Sequence, residues 1–229
     1  MSVSDPGLPS AQATGTRLGI MGGTFDPIHY GHLFVAEEAR ARFALDHVLF
    51  VPNGAPPHKK EYMLTAAHDR YEMTRLATAD NPAFTCTALE LERPGPSYTV
   101  ETLATLRAQY ANADLFYITG IDAIADILTW RRHDEIIRMA TFIAAARPGF
   151  DLKTLQDRLP AAYLERILLL GTTAQGISST EIRERTRAKL PTRYLTPDRV
   201  LDYIREHHLY ENKAVPVGDA ASQAGEITP

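Results

Sequence analysis

Two histidines, His29 and His32, close a run that begins Gly22-Gly23-Thr24-Phe25-Asp26-Pro27-Ile28, with Tyr30 and Gly31 between them. Imidazoles at this spacing sit on neighbouring positions of a first helical turn. Adjacent glycines let a ligand approach the backbone closely. A helix start adds free N–H groups and the positive end of the dipole. Together these parts suit phosphate. The run is not a Walker A loop, because no Gly-Lys-Ser/Thr follows, and it is not the G-x-G-x-x-G dinucleotide fingerprint. A tight turn with surface or core histidines accounts for any one of these residues, but less well for the set. Zinc would need a third ligand, and no cysteine lies near.

A second anion-suited stretch lies far downstream, Gly176-Ile177-Ser178-Ser179-Thr180-Glu181-Ile182-Arg183. Ser178 and Glu181 have capping-box spacing, and Ile177 and Ile182 that of a hydrophobic staple. The helix start, the Ser179 and Thr180 hydroxyls and Arg183 could hold phosphate oxygens. An ordinary capped helix with a solvated Arg183-Arg185-Arg187 run is the simpler reading of the stretch alone.

The elements that must position these residues alternate. Strand patterns are expected at Arg17–Met21, His47–Pro52, Phe84–Glu92, Leu115–Thr119, Thr141–Ala146 and Arg166–Leu170. Helical patterns are expected at Gly31–Phe43, Thr65–Ala79, Ser97–Tyr110, in short pieces from Gly120 to Met139, and near 179–188 and 197–207. Thr196 is the expected N-cap of the last, with Pro197 at its first position and Val200, Leu201 and Ile204 facing in. Alternation with β-branched strand runs predicts an α/β fold: a Rossmann-like, doubly wound, mostly parallel sheet with helices on both faces. Ligands then sit at strand carboxyl ends, near the topological switch point.

Composition narrows the class. Of 229 residues, 24 are Lys or Arg and 28 Asp or Glu, a formal net charge of −4 that argues against a general nucleic-acid binder. The single cysteine, Cys86, excludes an intrachain disulfide framework. No apolar run is long enough for a membrane helix, and the N-terminus lacks the features of a signal peptide, so a cytoplasmic protein is expected. Residues 1–16 and 213–229 are polar, small-residue tails expected to be disordered, with one domain between them at 17–212.

The stretch GGTFDPIHYGH resembles the signature of the His-x-Gly-His nucleotidyltransferases, and Ile-Ser-Ser-Thr-x-x-Arg resembles that family's second signature. The resemblance implies transfer of a nucleotidyl group from a nucleoside triphosphate to a phosphate-bearing acceptor, with Mg²⁺ and without a covalent intermediate. It implies catalytic roles for His32, His29 and Arg183, with His32 the more critical. It implies an ATP site built from Gly22, Gly23, Thr24, Phe25, His29, His32, Asp122, Ile177, Ser178, Ser179 and Arg183. No protein metal ligands are expected, since Mg²⁺ would be held mainly by phosphates and water.

Further stretches are similar to the nicotinate-nucleotide adenylyltransferase family: Val51 to Lys59, Pro96-Ser97-Tyr98-Thr99, Gly120-Ile121-Asp122 leading to Trp130, Arg147-Pro148-Gly149-Phe150, and the Leu209-Tyr210 ending. They imply ATP and nicotinate mononucleotide as partners, the latter held by Asn53, His58, Lys59, Ser97, Thr99, Trp130 and Arg131. Trp130 could stack on a pyridinium or fill the core. Ser97 and Thr99 open a helix whose amides could capture a carboxylate. Asp122 could accept from ribose hydroxyls or cap a helix. His58, Lys59 and Lys60 supply local positive charge or form a solvated loop. Arg131 departs from the aromatic or polar residue often found after the Trp. The rivals are phosphopantetheine adenylyltransferase, a shorter family without the Pro-Pro-His-Lys, Ser-Tyr-Thr and Trp features, and an idle nucleotide sensor. Homo-oligomerisation is left open.

Overall fold

Six parallel strands form one sheet in the order β3-β2-β1-β4-β5-β6. The structure is a computed structural model that describes residues 15–56, 64–146, 153–171 and 176–211. The chain runs β1 (Arg17–Gly23), α1 (Tyr30–Arg42), β2 (His47–Pro52), α2 (Ala67–Thr78), β3 (Phe84–Cys86), α3 (Thr99–Gln109) and β4 (Asp114–Gly120). It continues with α4 (Ile121–Ala125), a 3-10 turn (Ile127–Thr129), α5 (His133–Met139), β5 (Thr141–Ala146), α6 (Lys153–Gln156), α7 (Ala161–Leu164), β6 (Ile167–Gly171), α8 (Ser179–Arg187) and α9 (Asp198–Glu206).

The strands read as apolar runs because both faces are covered. Leu18 and Ile20 point into a core shared with Val100, Leu103, Leu106, Ile124 and Ile136, from α3, α4 and α5. Met21, Val48, Phe50 and Ile118 point into the opposite core, with Ala36, Ala39, Met73, Val200 and Ile204 from α1, α2 and α9. The direction of winding reverses between β1 and β4, which pair directly from Arg17↔Asp114 to Met21↔Ile118. Their carboxyl ends diverge there and open a crevice.

Three local expectations are corrected. The third strand stops at Cys86 rather than Glu92: Thr87 still donates to the Phe50 carbonyl, but Leu91 and Glu92 both donate to that of Ala88, forming a turn. This turn carries Glu90 inward, where it is buried. The last helix is capped by Pro197 rather than Thr196. Thr196 is buried, and its hydroxyl donates to the Ile28 carbonyl at 2.7 Å, docking this segment on the start of α1. At α8 the Ser178 side chain accepts from the Glu181 amide as expected, but the Glu181 carboxylate lies by Arg185, 3.5 Å away. Among the described residues, no helix is long and apolar enough to cross a membrane.

Candidate active site

The end of β1 and the start of α1 bring His29 and His32 together as a stacked pair, ring centroids 3.7 Å apart and planes 24° from parallel. His29 is the extended N-cap residue, and its amide donates to His32 Nδ1 at 3.3 Å. That bond places the His32 proton on Nε2. Burial holds His29 down at about 4. Burial, with the adjacent His29 adding to it, holds His32 well below the usual imidazole range. Both rings are therefore neutral near pH 7, each with one N–H donor. His29 Nδ1 is buried and has no partner among the described residues. A Cβ on Gly31 would fall 3.0 Å from that nitrogen and 3.8 Å from the Ile177 carbonyl oxygen. Glycine here thus leaves room for the His29 ring and for the second signature's backbone.

The amide capacity expected of this helix start is partly used up. Tyr30 N donates to Leu195 O, and His32 N to His29 O. Anion contact at this turn rests more on the imidazoles than on the backbone. The Phe25 ring meets His32 edge-on at 5.1 Å. It also lies beneath Gly23, where a Cβ would come within 2.8 Å of it.

The second signature docks on the first. Ser179 Oγ donates to Pro27 O at 2.8 Å, so this hydroxyl holds protein rather than standing free for phosphate. Arg183 Nη1 donates to Asp26 O at 2.7 Å, and Nη2 to Thr180 Oγ1 at 3.2 Å. The Ser179 and Thr180 amides have no acceptor within the helix, as helix geometry requires. Asp26 is buried, and its carboxylate accepts from Tyr210 Oη at 2.8 Å and from Thr65 N at 3.3 Å. Burial and the Asp26 carboxylate push the Tyr210 phenol well above its usual value.

The same β1 turn forms one wall of a cavity of about 450 Å³ at the β1/β4 switch point. Gly22, Gly23 and Thr24 line it, with Asn53 from the end of β2, Ser97 and Thr99 at the start of α3, Tyr117 and Thr119 from β4, and Trp130 and Arg131 after the 3-10 turn. Five of the residues expected at an acceptor, Asn53, Ser97, Thr99, Trp130 and Arg131, therefore converge. Trp130 is partly buried; it packs edge-on to Tyr117 and Phe142, centroids 6.1 and 6.5 Å away, and also lines the cavity. The core and stacking readings are compatible. The Arg131 guanidinium lies over the Tyr98 ring at 4.5 Å and near Glu101 at 3.7 Å. Ser97 Oγ accepts from the Gly54 and Ala55 amides at 3.1 and 3.2 Å. His58, Lys59 and Lys60, and the Arg147–Phe150 stretch, lie outside the described residues.

Asp122 is exposed in the first turn of α4 and does not line this cavity; the cap is Gly120, so the capping reading of Asp122 is overturned. Sequence reasoning missed Arg70, Glu90 and Tyr117. Arg70 is 1% exposed and donates to three carbonyls, of Thr65, Thr24 and Gly54. Its signal was an arginine on the apolar face of α2, in register with Met73 and Thr74. Glu90 lay in what read as strand and gave no signal. Tyr117 reads as a core strand residue. Burial pushes its phenol up to about 12, against the pull of a hydrogen bond with Thr99.

A doubly wound parallel sheet, with an imidazole pair and an arginine beside its switch point and an aromatic-lined cavity in it, defines a nucleotide-handling α/β enzyme. The Cytidylyltransferase-like family model matches residues 20–185. The "Probable nicotinate-nucleotide adenylyltransferase" of Moorella thermoacetica is 52% identical over 198 residues, 85% of this chain and 91% of that one. Its namesake in Acidothermus cellulolyticus is 48% identical over 199 residues, again 85% of this chain and 94% of the relative. The solved Plasmodium falciparum nicotinic acid mononucleotide adenylyltransferase complexed with NaAD has a TM-score of 0.70 at 22% identity, covering 85% of this chain and 97% of that one, a likeness of fold. The chain belongs to the cytidylyltransferase-like family, among its nicotinate-nucleotide adenylyltransferases.

Proposed function

We infer that this enzyme transfers the adenylyl group of ATP to nicotinate mononucleotide, giving deamido-NAD and pyrophosphate. One observation carries the assignment of sites. The Gly22–Phe25 turn is shared: one side lines the cavity, and the other carries Phe25 against His32. Two substrates held on either side of it would meet at the turn. The names of the curated relatives support the acceptor.

The acceptor phosphate, a monoester with a second pKa of about 6, is already an anionic nucleophile near neutrality. One of its oxygens forms a bond to the α-phosphorus of ATP while the bond to the β-phosphate oxygen breaks, and pyrophosphate leaves. No general base is required. The protein's task is alignment and charge stabilisation. His32 Nε2–H and the His29 ring would donate to phosphate oxygens. Arg183 and the amides at the start of α8 would hold the leaving phosphates. Trp130 would stack on the pyridinium, and the amides at the start of α3 would meet the ring carboxylate. The amide analogue gains less there, and its NH₂ group meets donors.

Among the described residues, no three His, Cys, Asp or Glu side chains cluster as metal ligands. The Asp26 carboxylate of the turn is engaged by Tyr210 and Thr65. This donor set fits Mg²⁺ held by phosphate oxygens and water. When bound, the ion would neutralise triphosphate charge. We place the reaction in the cytoplasm, with ATP. Pyrophosphate release with ATP and Mg²⁺ tests the reading. Turnover is expected with nicotinate mononucleotide and much less with the amide; equal or better use of phosphopantetheine would refute the acceptor.

A further inference from the structure

We propose that Glu90 and Arg70 are positioning residues for the acceptor: through Ser97 and the Gly54–Ala55 segment they fix the cavity wall relative to the Thr24 turn. This rests on the adenylyltransferase reading above and names residues that the two signatures do not contain.

The two side chains are opposite charges at the ends of one buried web. Arg70 Nη1 donates to Thr24 O at 2.8 Å and Nη2 to Gly54 O at 3.0 Å, tying the phosphate turn to the segment after β2. The Gly54 and Ala55 amides donate to Ser97 Oγ, and Ser97 N donates back to Ala55 O at 2.8 Å. Having accepted two amide protons, the Ser97 hydroxyl still has its own to give, and its pull lowers the pKa of the Glu90 carboxyl. Glu90 Oε1 accepts from Thr102 Oγ1 of α3 at 2.5 Å. The backbones are in direct contact as well: a Cβ on Gly54 would fall 2.3 Å from the Glu90 carbonyl oxygen.

Stability alone does not account for this pair. Arg70 donates to carbonyls, and among the described residues neither Arg70 nor Glu90 is in an ion pair within 4.0 Å. Glu90 is 6% exposed, and its Oε2 has no hydrogen-bond partner among the described residues. Burial pushes the carboxyl up, against the opposing pull of Thr102, Ser97, Arg93 and the Gly54 amide. A core chosen for stability would do as well with apolar side chains in such places. What the web supplies is a fixed spacing between Thr24 and the start of α3, where the two substrates are read. Glu90 also lines the cavity, but its partnerless Oε2 is buried, so the role assigned to it is to hold the wall that carries Ser97.

The unsubstituted enzyme is first assayed with ATP and nicotinate mononucleotide. Absence of turnover there would overturn the reading on which the inference rests, and the inference with it. With turnover established, Glu90→Gln keeps the size but replaces the carboxylate acceptor with a neutral amide that has a single acceptor oxygen. The KM for nicotinate mononucleotide is expected to rise about tenfold, the factor that one net hydrogen bond supplies, with the KM for ATP within about twofold. Melting temperature near pH 7.5 should hold or rise, because the variant removes a carboxyl that burial disfavours in its charged form. An unchanged acceptor KM, or an equal rise in both KM values, would overturn the proposal. If Glu90→Gln does not fold, Thr102→Val removes the hydroxyl that donates to Glu90, and does so from outside the cavity. It should produce the same selective rise, reversed in Thr102→Ser; no selective rise in Thr102→Val would equally overturn it.

Discussion

His32 meets its substrate as a neutral donor whose tautomer is set by the backbone. The His29 amide fills Nδ1, so the remaining N–H is Nε2. The stacked His29 ring discourages a second charge, and burial reinforces it. Such a group contributes most where negative charge develops on phosphate oxygens; above pH 6.5, where it is neutral folded or unfolded, its titration adds nothing to folding. His32→Ala is therefore expected to lower kcat by roughly 10²–10³-fold, the usual loss for one aimed donor, with little change in melting temperature. Steady-state kinetics beside a thermal melt separates the two effects. Wild-type turnover in a well-folded variant would remove His32 from the mechanism.

At the scale of elements, the parts that read clearly are those where a local rule decides. β2 and β5 fall at the expected bounds because a buried parallel strand is a bare apolar run ended by a turn. Ser178 caps α8 as its spacing requires. What stayed hidden is set by partners distant in sequence. Glu90 turns inward because Thr102 and Ser97 are there, and Thr196 leaves its capping role for the Ile28 carbonyl. Arg70 is buried because the β1 turn, the segment after β2 and the lead into α2 each offer it a carbonyl. Asp26 belongs to the same class. The sequence displays it inside the first signature, but its partner Tyr210 lies beyond the last helix. That contact makes the segment after α9 a brace for the phosphate turn, since Asp26 also receives Arg183 through its carbonyl. Tyr210→Phe leaves a buried carboxylate oxygen short of its donor, at a cost of about 1–3 kcal/mol. The loosened turn should lower kcat as well as melting temperature. A variant with reduced stability but unaltered kcat would make Tyr210 a purely structural residue.

Over the whole molecule, a net charge of −4 coexists with a site meant for polyanions. Attraction has to be local, and the buried, shifted groups His29, His32 and Glu90 lie around one crevice. This makes stability depend on pH in a defined direction. His29 is lowered from 6.5 to about 4, so its contribution is whole above pH 6.5 and is lost as pH falls from there toward 4. At about 1.4 kcal/mol per pH unit, the ceiling for that one group is on the order of 3 kcal/mol. His32 and His47 are lowered as well and act in the same sense. Glu90 is raised, so its contribution is present below the usual carboxylate range and is lost as pH rises through its shifted value; on acidification it offsets part of the histidine loss. Thermal melts between about pH 7.5 and pH 5 should fall steadily. The fall should be shallower in His29→Asn, which has no imidazole to protonate on unfolding, and steeper in Glu90→Gln, which lacks the offset. A melting temperature that stays flat across this range would mean that the imidazoles are not held neutral by burial. The donor role assigned to His32 Nε2–H would then have to be replaced by that of a charged imidazolium.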